Sequence, residues 1–220
     1  MKIAIVEDHR MFRAFLRHLA EEASVHEVVG EAADGAAGIL LVDETKPEML
    51  LLDLNLPDRD GFEVAEHTLR NHPGTKVLVL SSHCDDYTVT RILTSGVHGF
   101  VDKNDQPPET VALAIEAVAK GCLFFTEAVT RVRKRLGEDP KAFNKVLSPR
   151  ELELLCLIGV GMTDGEVAKA TRLSTGTVQW HRKKILTKLK LHTTRELMRY
   201  AMERGITKMS LTRPPGSSVP

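Results

Sequence analysis

Along residues 2–120 short apolar runs alternate with amphipathic stretches of helical period. The run IAIV precedes an apolar face at Met11, Phe12, Phe15, Leu16 and Leu19, a spacing that fits one side of a helix. VHEVV precedes Ile39, Leu40 and Val42; MLLLDL precedes a helix after Gly61; KVLVLSS precedes one after Asp85. GFV precedes a helix opened by Pro107 and Pro108 and carrying Val111, Ala114, Ile115 and Val118. The repeats predict an α/β domain of (βα)5 type. Its later strands are continuous apolar runs, as in a parallel sheet covered on both faces. Such sheets carry function where their strands end, at the carboxyl edge.

Residues 121–147 break this pattern. Gly137 and Pro140 are expected to interrupt any helix, so the span reads as a partly helical linker, with RVRKR as a solvated face rather than a DNA contact. From Ser148 the pattern is wholly helical. Ser148-Pro149-Arg150-Glu151 and Thr163 to Glu166 are capping boxes, and Ser174 and Thr193 or Thr194 offer further caps. Four helices follow, at 149–159, 164–171, 175–190 and 194–203, with Gly161 and TRLS as turns. The second and third form a helix-turn-helix, whose second helix conventionally enters the major groove. Gly165 costs its helix about 1 kcal/mol. The tail 206–220 lacks apolar periodicity and is expected to be flexible.

Winding 175–190 at ~100° per residue separates its faces. Val178, Ile185 and Leu189 fall together, with Leu186 beside them, and should pack inward. Gly176, Trp180, Lys183 and Thr187 lie opposite, with Gln179 and Lys184 at the margins. That outer face carries cations and polar donors suited to phosphates and base edges. Thr175 and Thr177, at the helix start, suit phosphate contacts. Arg182 points to the apolar side and is expected to snorkel or pair with an acid; His181 is expected to pack or touch phosphate. Trp180 either meets a thymine methyl or sugar, or packs within its own domain.

Charge sharpens the division. The whole chain holds 30 Lys+Arg and 30 Asp+Glu, but residues 1–130 hold 11 against 22, a net −11, and residues 131–220 hold 19 against 8, a net +11. Two domains with different partners are expected, the basic one facing a polyanion. No apolar run approaches the ~18 residues needed to cross a bilayer. The start MKIAIVEDH meets two acids after a short apolar run, so no secretory signal is expected and a cytoplasmic protein is. Cys84, Cys122 and Cys156 are widely spaced, without CxxC or a nearby His cluster. Neither disulfides nor a zinc site are expected, and all three cysteines read as buried small hydrophobes.

The strand ends carry residues foreign to a core. Strand one ends in Glu7 and Asp8, strand three in Asp53 and strand four in Ser81 and Ser82; Lys103 follows strand five. Right-handed crossovers bring these ends to one edge. Carboxylates gathered there repel unless a cation sits among them, and magnesium fits because it takes hard oxygen ligands and shares its shell with phosphate. Lys103 and a serine hydroxyl then suit phosphate oxygens. The constellation suggests attack by a carboxylate on a phosphoryl group, with Asp53 as nucleophile.

Through VEDH, LLLDLNLPDRDGFEV, VLVLSS and GFVDKN, residues 1–120 resemble the receiver domain of bacterial two-component response regulators. The resemblance implies a flavodoxin-like doubly wound fold in which Glu7 and Asp8 organise Mg²⁺, Asp53 accepts phosphate from a sensor histidine kinase, and the Asn55 backbone carbonyl completes the metal ligands. It makes Ser81 the hydroxyl that turns toward phosphate, Lys103 the lysine that pairs with it, and Phe100 the aromatic that changes rotamer. Ser82 at the usual Ala or Gly position, and Asn104 where many receivers have proline, depart from the pattern. Residues 148–205 resemble the LuxR-type helix-turn-helix domain through LSPRELELLCLIGVGMTDGEVAKATRLSTGTVQWHRKKILTKLKL. The whole resembles a response regulator of the NarL/FixJ type, which implies a transcription regulator rather than an enzyme. Its implied partners are DNA, RNA polymerase and a second copy of the chain. The last helix is implied to make dimer contacts. Its apolar face of Leu197, Met198, Ala201 and Met202 fits a dimer seam or ordinary packing.

Two other readings compete. A phosphatase using Asp53 needs an acid at Asn55 and leaves the helix-turn-helix unexplained. A DNA-binding protein whose receiver answers to a partner or ligand instead of phosphate is separated by phosphorylation of Asp53 itself. The opposite charges also suggest that the acidic half shields the basic one. Screening beyond ~8 Å requires direct docking for that, and unchanged DNA affinity after removal of residues 1–130 would refute it.

Overall fold

The structure, a computed structural model, describes residues 1–22, 26–104 and 107–207. It divides into two units, Met1–Cys84 with Arg91–Arg131, and Asp85–Thr90 with the residues from Val132 onward.

The first unit is built on a parallel sheet of β1 (Lys2–Val6), β2 (Glu27–Ala32), β3 (Met49–Asp53), β4 (Lys76–Ser81), β5 (Gly99–Asp102) and β6 (Phe124–Phe125), ordered β2-β1-β3-β4-β5-β6. This is the doubly wound order, with its switch point between β1 and β3. Ile3, Ile5, Met49, Leu51, Leu78, Leu80 and Val101 form one face with Leu16 and Ala20 of α1 (Arg10–Glu22) and Val111, Ala114, Ile115 and Val118 of α5 (Pro108–Ala119). The intervening residues Ala4, Val6, Leu50, Leu52, Val77, Val79 and Phe100 are also buried. On that side α2 (Gly35–Thr45) and α3 (Gly61–Asn71) pack on the sheet. Burial on both faces explains why these strands lack polar alternation.

The sixth strand is a departure from (βα)5. Phe124–Phe125 lies in the expected linker and adds to the sheet edge, with Gly99 opposite Phe124. A side chain on Gly99 would come within 2.9 Å of the Phe124 carbonyl, so glycine permits the approach. Two residues are too few for a periodic signal. α6 (Glu127–Glu138) forms on a buried stripe of Val129, Val132 and Leu136 and ends between Gly137 and Pro140, where the interruption is expected. The RVRKR cations lie exposed on its other side. β2 runs Glu27–Ala32, later than VHEVV suggests, and Val25 lies outside the described residues. α4 is Asp86–Ser95 and α7 is Phe143–Val146.

The second unit holds α8 (Pro149–Gly159), α9 (Asp164–Thr171), α10 (Thr175–Leu189) and α11 (Thr194–Glu203). Both capping boxes form, and Ser174 and Thr193 cap α10 and α11. Gly161 turns the chain at φ 94°, and Arg172 takes the left-handed conformation in the turn between α9 and α10. Among the cysteines only Cys156 is buried; Cys84 is half-buried and Cys122 exposed, because the latter lies in the turn after α5 rather than on its apolar stripe. Most of the expected tail, from residue 208, lies outside the described residues. Among the described residues no helix is long and apolar enough to cross a membrane.

Candidate functional site

The sheet register brings the strand-end residues to one rim. Val6 pairs with Leu52, Asp53 with Leu80, and Ser81 with Asp102. Glu7 and Asp53 therefore emerge side by side, and the Lys103 N–H donates to the Ser81 carbonyl at 3.0 Å.

Glu7 is fully buried and Asp53 nearly so, whereas Asp8 is exposed. One carboxylate oxygen from each of the three lies within 4.8 Å of the others. Lys103 Nζ stands 2.6 Å from Glu7 Oε2 and 2.8 Å from Asp53 Oδ2, with the Phe12 ring centroid 4.5 Å away. Backbone donors fix the other oxygens: Asn55 N–H donates to Asp53 Oδ1 at 3.0 Å and His9 N–H to Glu7 Oε1 at 3.2 Å. Burial raises the Glu7 pKa, and the Asp53 charge adds to the rise against the opposing pull of Lys103. One ammonium faces three carboxyl groups, so the rim keeps an excess of hard oxygen donors. That set suits a divalent cation of the magnesium type.

The loop after β3 is built to hold Asp53. Asn55 and Asp60 pair across it, Asp60 caps α3 through the Phe62 N–H at 3.0 Å, and Gly61 N–H returns to the Leu54 carbonyl at 3.0 Å. A Cβ on Gly61 would sit 2.4 Å from the Asp53 carbonyl oxygen, so no larger residue fits. Ser81 is fully buried, and its hydroxyl accepts the His83 N–H at 3.1 Å. Phe100 is fully buried on β5. The Asn104 amide donates to the Ser82 carbonyl. Sequence reasoning missed His83, whose Nδ1 lies 2.8 Å from Asn55 Nδ2, and Phe12 as a partner of Lys103. For His83 the available signal was its place directly after Ser81-Ser82.

On α10, Val178, Ile185 and Leu189 are buried, as its periodicity predicts. Thr175, Gln179, Trp180, Lys183, Lys184 and Thr187 are exposed, with Thr177 half-buried. Ser174 Oγ accepts the Thr177 N–H at 3.1 Å and lies 2.8 Å from its hydroxyl. Trp180 is 57% exposed, meets His181 edge-on and carries Lys184 Nζ 4.8 Å from its ring centroid. Arg182 pairs with Asp164 and donates to Thr194 Oγ1 at 3.3 Å, the ion-paired alternative for this residue. Lys184 and Lys188 reach Glu151 at 3.6 and 2.6 Å. Burial pushes the Glu151 carboxyl up, but hydrogen bonds from Lys188 and the Ser148 N–H outweigh it and hold the pKa at about 2.

The α11 face needs correction. Leu197 and Ala201 are fully buried within the unit and present no surface to a second chain. Helices α8 and α11 pack together, and a Cβ on Gly159 would come within 2.7 Å of the Ala201 methyl. Met198 is half-buried and Met202 is 65% exposed.

A second convergence of ligating groups lies elsewhere and includes none of the cysteines. Asp43, His67 and His72 each offer an atom within 4.8 Å of the others. His67 and His72 lie close together on α3 and its C-cap, and the packing of α2 on α3 brings the distant Asp43 to them.

Comparison with known proteins bears on both units. Residues 3–115 match the response regulator receiver domain, and residues 145–201 match the luxR family of bacterial regulatory proteins. The response regulator protein VraR of Staphylococcus aureus is 31% identical over 207 residues, covering 94% of this chain and 98% of its own. RcsB of Salmonella enterica serovar Typhimurium, solved bound to promoter DNA with the phosphomimetic BeF3−, is 26% identical with a TM-score of 0.66, covering 93% of this chain and 98% of that one. The isolated receiver of the same protein with BeF3− covers 60% of this chain and 97% of its own at 27% identity and a TM-score of 0.56. The chain therefore belongs to the two-component response regulators of the NarL/FixJ type, which join a phosphorylation-controlled receiver to a LuxR-type DNA-binding domain.

Proposed function

We propose that Asp53 accepts a phosphoryl group from a sensor histidine kinase, and that its occupancy governs sequence-specific DNA binding through α10 and hence transcription. The observation that carries this reading is the buried Glu7–Lys103–Asp53 arrangement, with Asp53 Oδ2 2.8 Å from the ammonium. In the reaction an Asp53 carboxylate oxygen attacks phosphorus, the bond from phosphorus to the kinase imidazole nitrogen breaks, and an acyl phosphate remains. Lys103 pairs with the phosphoryl oxygens as a compact charge. Glu7, Asp8, Asp53 and the Asn55 backbone carbonyl are the proposed holders of Mg²⁺, which supplies charge neutralisation to the transferring group. The Ser81 hydroxyl then leaves the His83 N–H for the phosphoryl oxygens, and Phe100 changes rotamer behind it.

At the DNA, Thr175 and Thr177 address phosphate from the helix start. Gln179, Trp180, Lys183, Lys184 and Thr187 face the groove. RcsB has been solved as dimers bound to DNA, which supports a homodimer here, with Met202 and Met198 as the α11 residues left to contribute. RNA polymerase is the expected downstream partner and the cytoplasm the expected compartment. We further read residues 1–120 as the phosphoacceptor domain, 121–147 as the connecting segment and 148–205 as the DNA-binding domain.

The test is acetyl phosphate with Mg²⁺, read by intact mass. The wild-type chain is expected to gain one phosphoryl group and Asp53→Asn none. Equal labelling of the two, or no labelling of the wild type, overturns the reading.

A further inference from the structure

Helices α2 and α3 end beside the starts of β3 and β4, at the amino edge of the sheet and opposite the rim that carries Asp53. There Asp43, in the last turn of α2, meets two imidazoles. Its Oδ1 is 2.8 Å from His67 Nε2 and 2.6 Å from His72 Nε2. His67 lies on α3, and His72 is its C-cap, fixed by a backbone N–H to the Thr68 carbonyl at 2.7 Å. The two rings are 6.2 Å apart at 47°, so they approach one oxygen from different directions without stacking.

Hydrogen bonds alone account for part of this. Donation from His67 first, and from His72, holds the Asp43 carboxyl below its usual range and so ionised at neutral pH. Three features go beyond a tie between helices. The side chain of Asp43 is 43% exposed and those of His67 and His72 are 27% and 16% exposed, so water can complete a coordination shell. The Asn71 amide nitrogen lies 3.1 Å from His67 Nδ1 and 3.4 Å from His67 Nε2, nearer the former, and its nitrogen and oxygen exchange on a flip. Asn71 can therefore accept an Nδ1–H once Nε2 gives up its proton to a metal, the usual outer support of a ligating imidazole. The donor set also selects its metal: two imidazoles and one carboxylate favour zinc and its neighbours over magnesium. Ligands ~2.0 Å from a tetrahedral ion stand about 3.3 Å apart. The two contacts must therefore open by roughly 0.5 Å, a small rotamer adjustment for side chains at the surface.

We propose that Asp43, His67 and His72 bind a divalent transition cation of the zinc class, with water as the remaining ligand and Asn71 as the positioning residue. Such an ion would clamp the ends of α2 and α3 together. The proposal does not depend on the role assigned to Asp53.

The test is calorimetric titration of the full chain with zinc chloride in saturating Mg²⁺, beside H67Q/H72Q and Asp43→Asn, with circular dichroism to check folding. The wild type is expected to take up one more equivalent than the double variant, and Asp43→Asn to bind that equivalent at least tenfold more weakly. Histidine-detected NMR on the wild type gives an independent reading, with the Nε2 resonances of His67 and His72 shifting together at one equivalent. Equal uptake by the wild type and a folded double variant overturns the proposal. Unmoved His67 and His72 resonances overturn it whatever the variants do.

Discussion

Among the described residues lysines hold buried carboxylates at two places, and they hold them differently. At the receiver rim Lys103 sits within 2.8 Å of both Glu7 and Asp53, with Asp8 close by, and Glu7 is pushed above its ordinary value. In the helical unit Glu151 stands alone between Lys188 and Lys184, accepts the Ser148 N–H and is held at about 2. The chemistry of the pair is the same, and the ratio of acids to cations is reversed. An acid in surplus cations is a staple, since it closes the cap of α8 and ties α10 to it. Acids in surplus over their cation are a site, since the arrangement improves whenever further positive charge arrives.

That contrast can be broken most severely at Lys103. Lys103→Met leaves Glu7 and Asp53 buried without their cation, and a destabilisation of about 3 kcal/mol is expected by urea unfolding at neutral pH. Millimolar Mg²⁺ should restore more stability to this variant than it adds to the wild type. Equal gains would mean that the rim carboxylates do not share one ion. Glu151→Gln should cost the helical unit about 2 kcal/mol, without any response to Mg²⁺. The pH dependence follows from the direction of its shift. The folded value of about 2 lies below the ordinary 4.5, so the contribution of Glu151 is complete above about pH 4.5 and is lost as pH falls toward 2. Acid unfolding followed in wild type and Glu151→Gln should converge in that window.

Smaller effects separate the staple from the DNA-facing cations. Lys183→Ala is expected to lower the slope of log affinity against log salt by about 1, if it neutralises one phosphate. An unchanged slope with relaxed sequence preference would assign it to a base edge. The smallest expected change is a gain: Gly165→Ala adds a methyl into open space within α9 and should stabilise by about 0.5 kcal/mol in thermal unfolding.

Much of the rim was legible because a strand buried on both faces has no reason to end in acids. MLLLD and KVLVLS carry uninterrupted apolar runs into Asp53 and Ser81, and parallel topology then aligns those ends. The capping boxes at Ser148 and Thr163 were legible because the carboxylate partner lies a fixed three residues on. What stayed hidden depended on distance along the chain or on brevity. Asp43 meets His67 and His72 across 24 and 29 residues, a pairing that local spacing does not contain. Phe124–Phe125 is too short to declare itself as a strand. Leu197 and Ala201 share an amphipathic face with Met202, and periodicity cannot distinguish a face buried within the unit from one offered to a partner. Cys122 illustrates the same limit, since its type suggests an interior and its position in a turn decides otherwise.

Trp180 is the chain's only tryptophan, and it sits in the open on α10. Selective ultraviolet excitation of the indole therefore turns the whole polypeptide into a one-site optical reporter. Emission that reddens in the free protein and is quenched or blue-shifted on adding an oligonucleotide follows this one helix in real time, with no dye attached and no signal from the receiver to subtract.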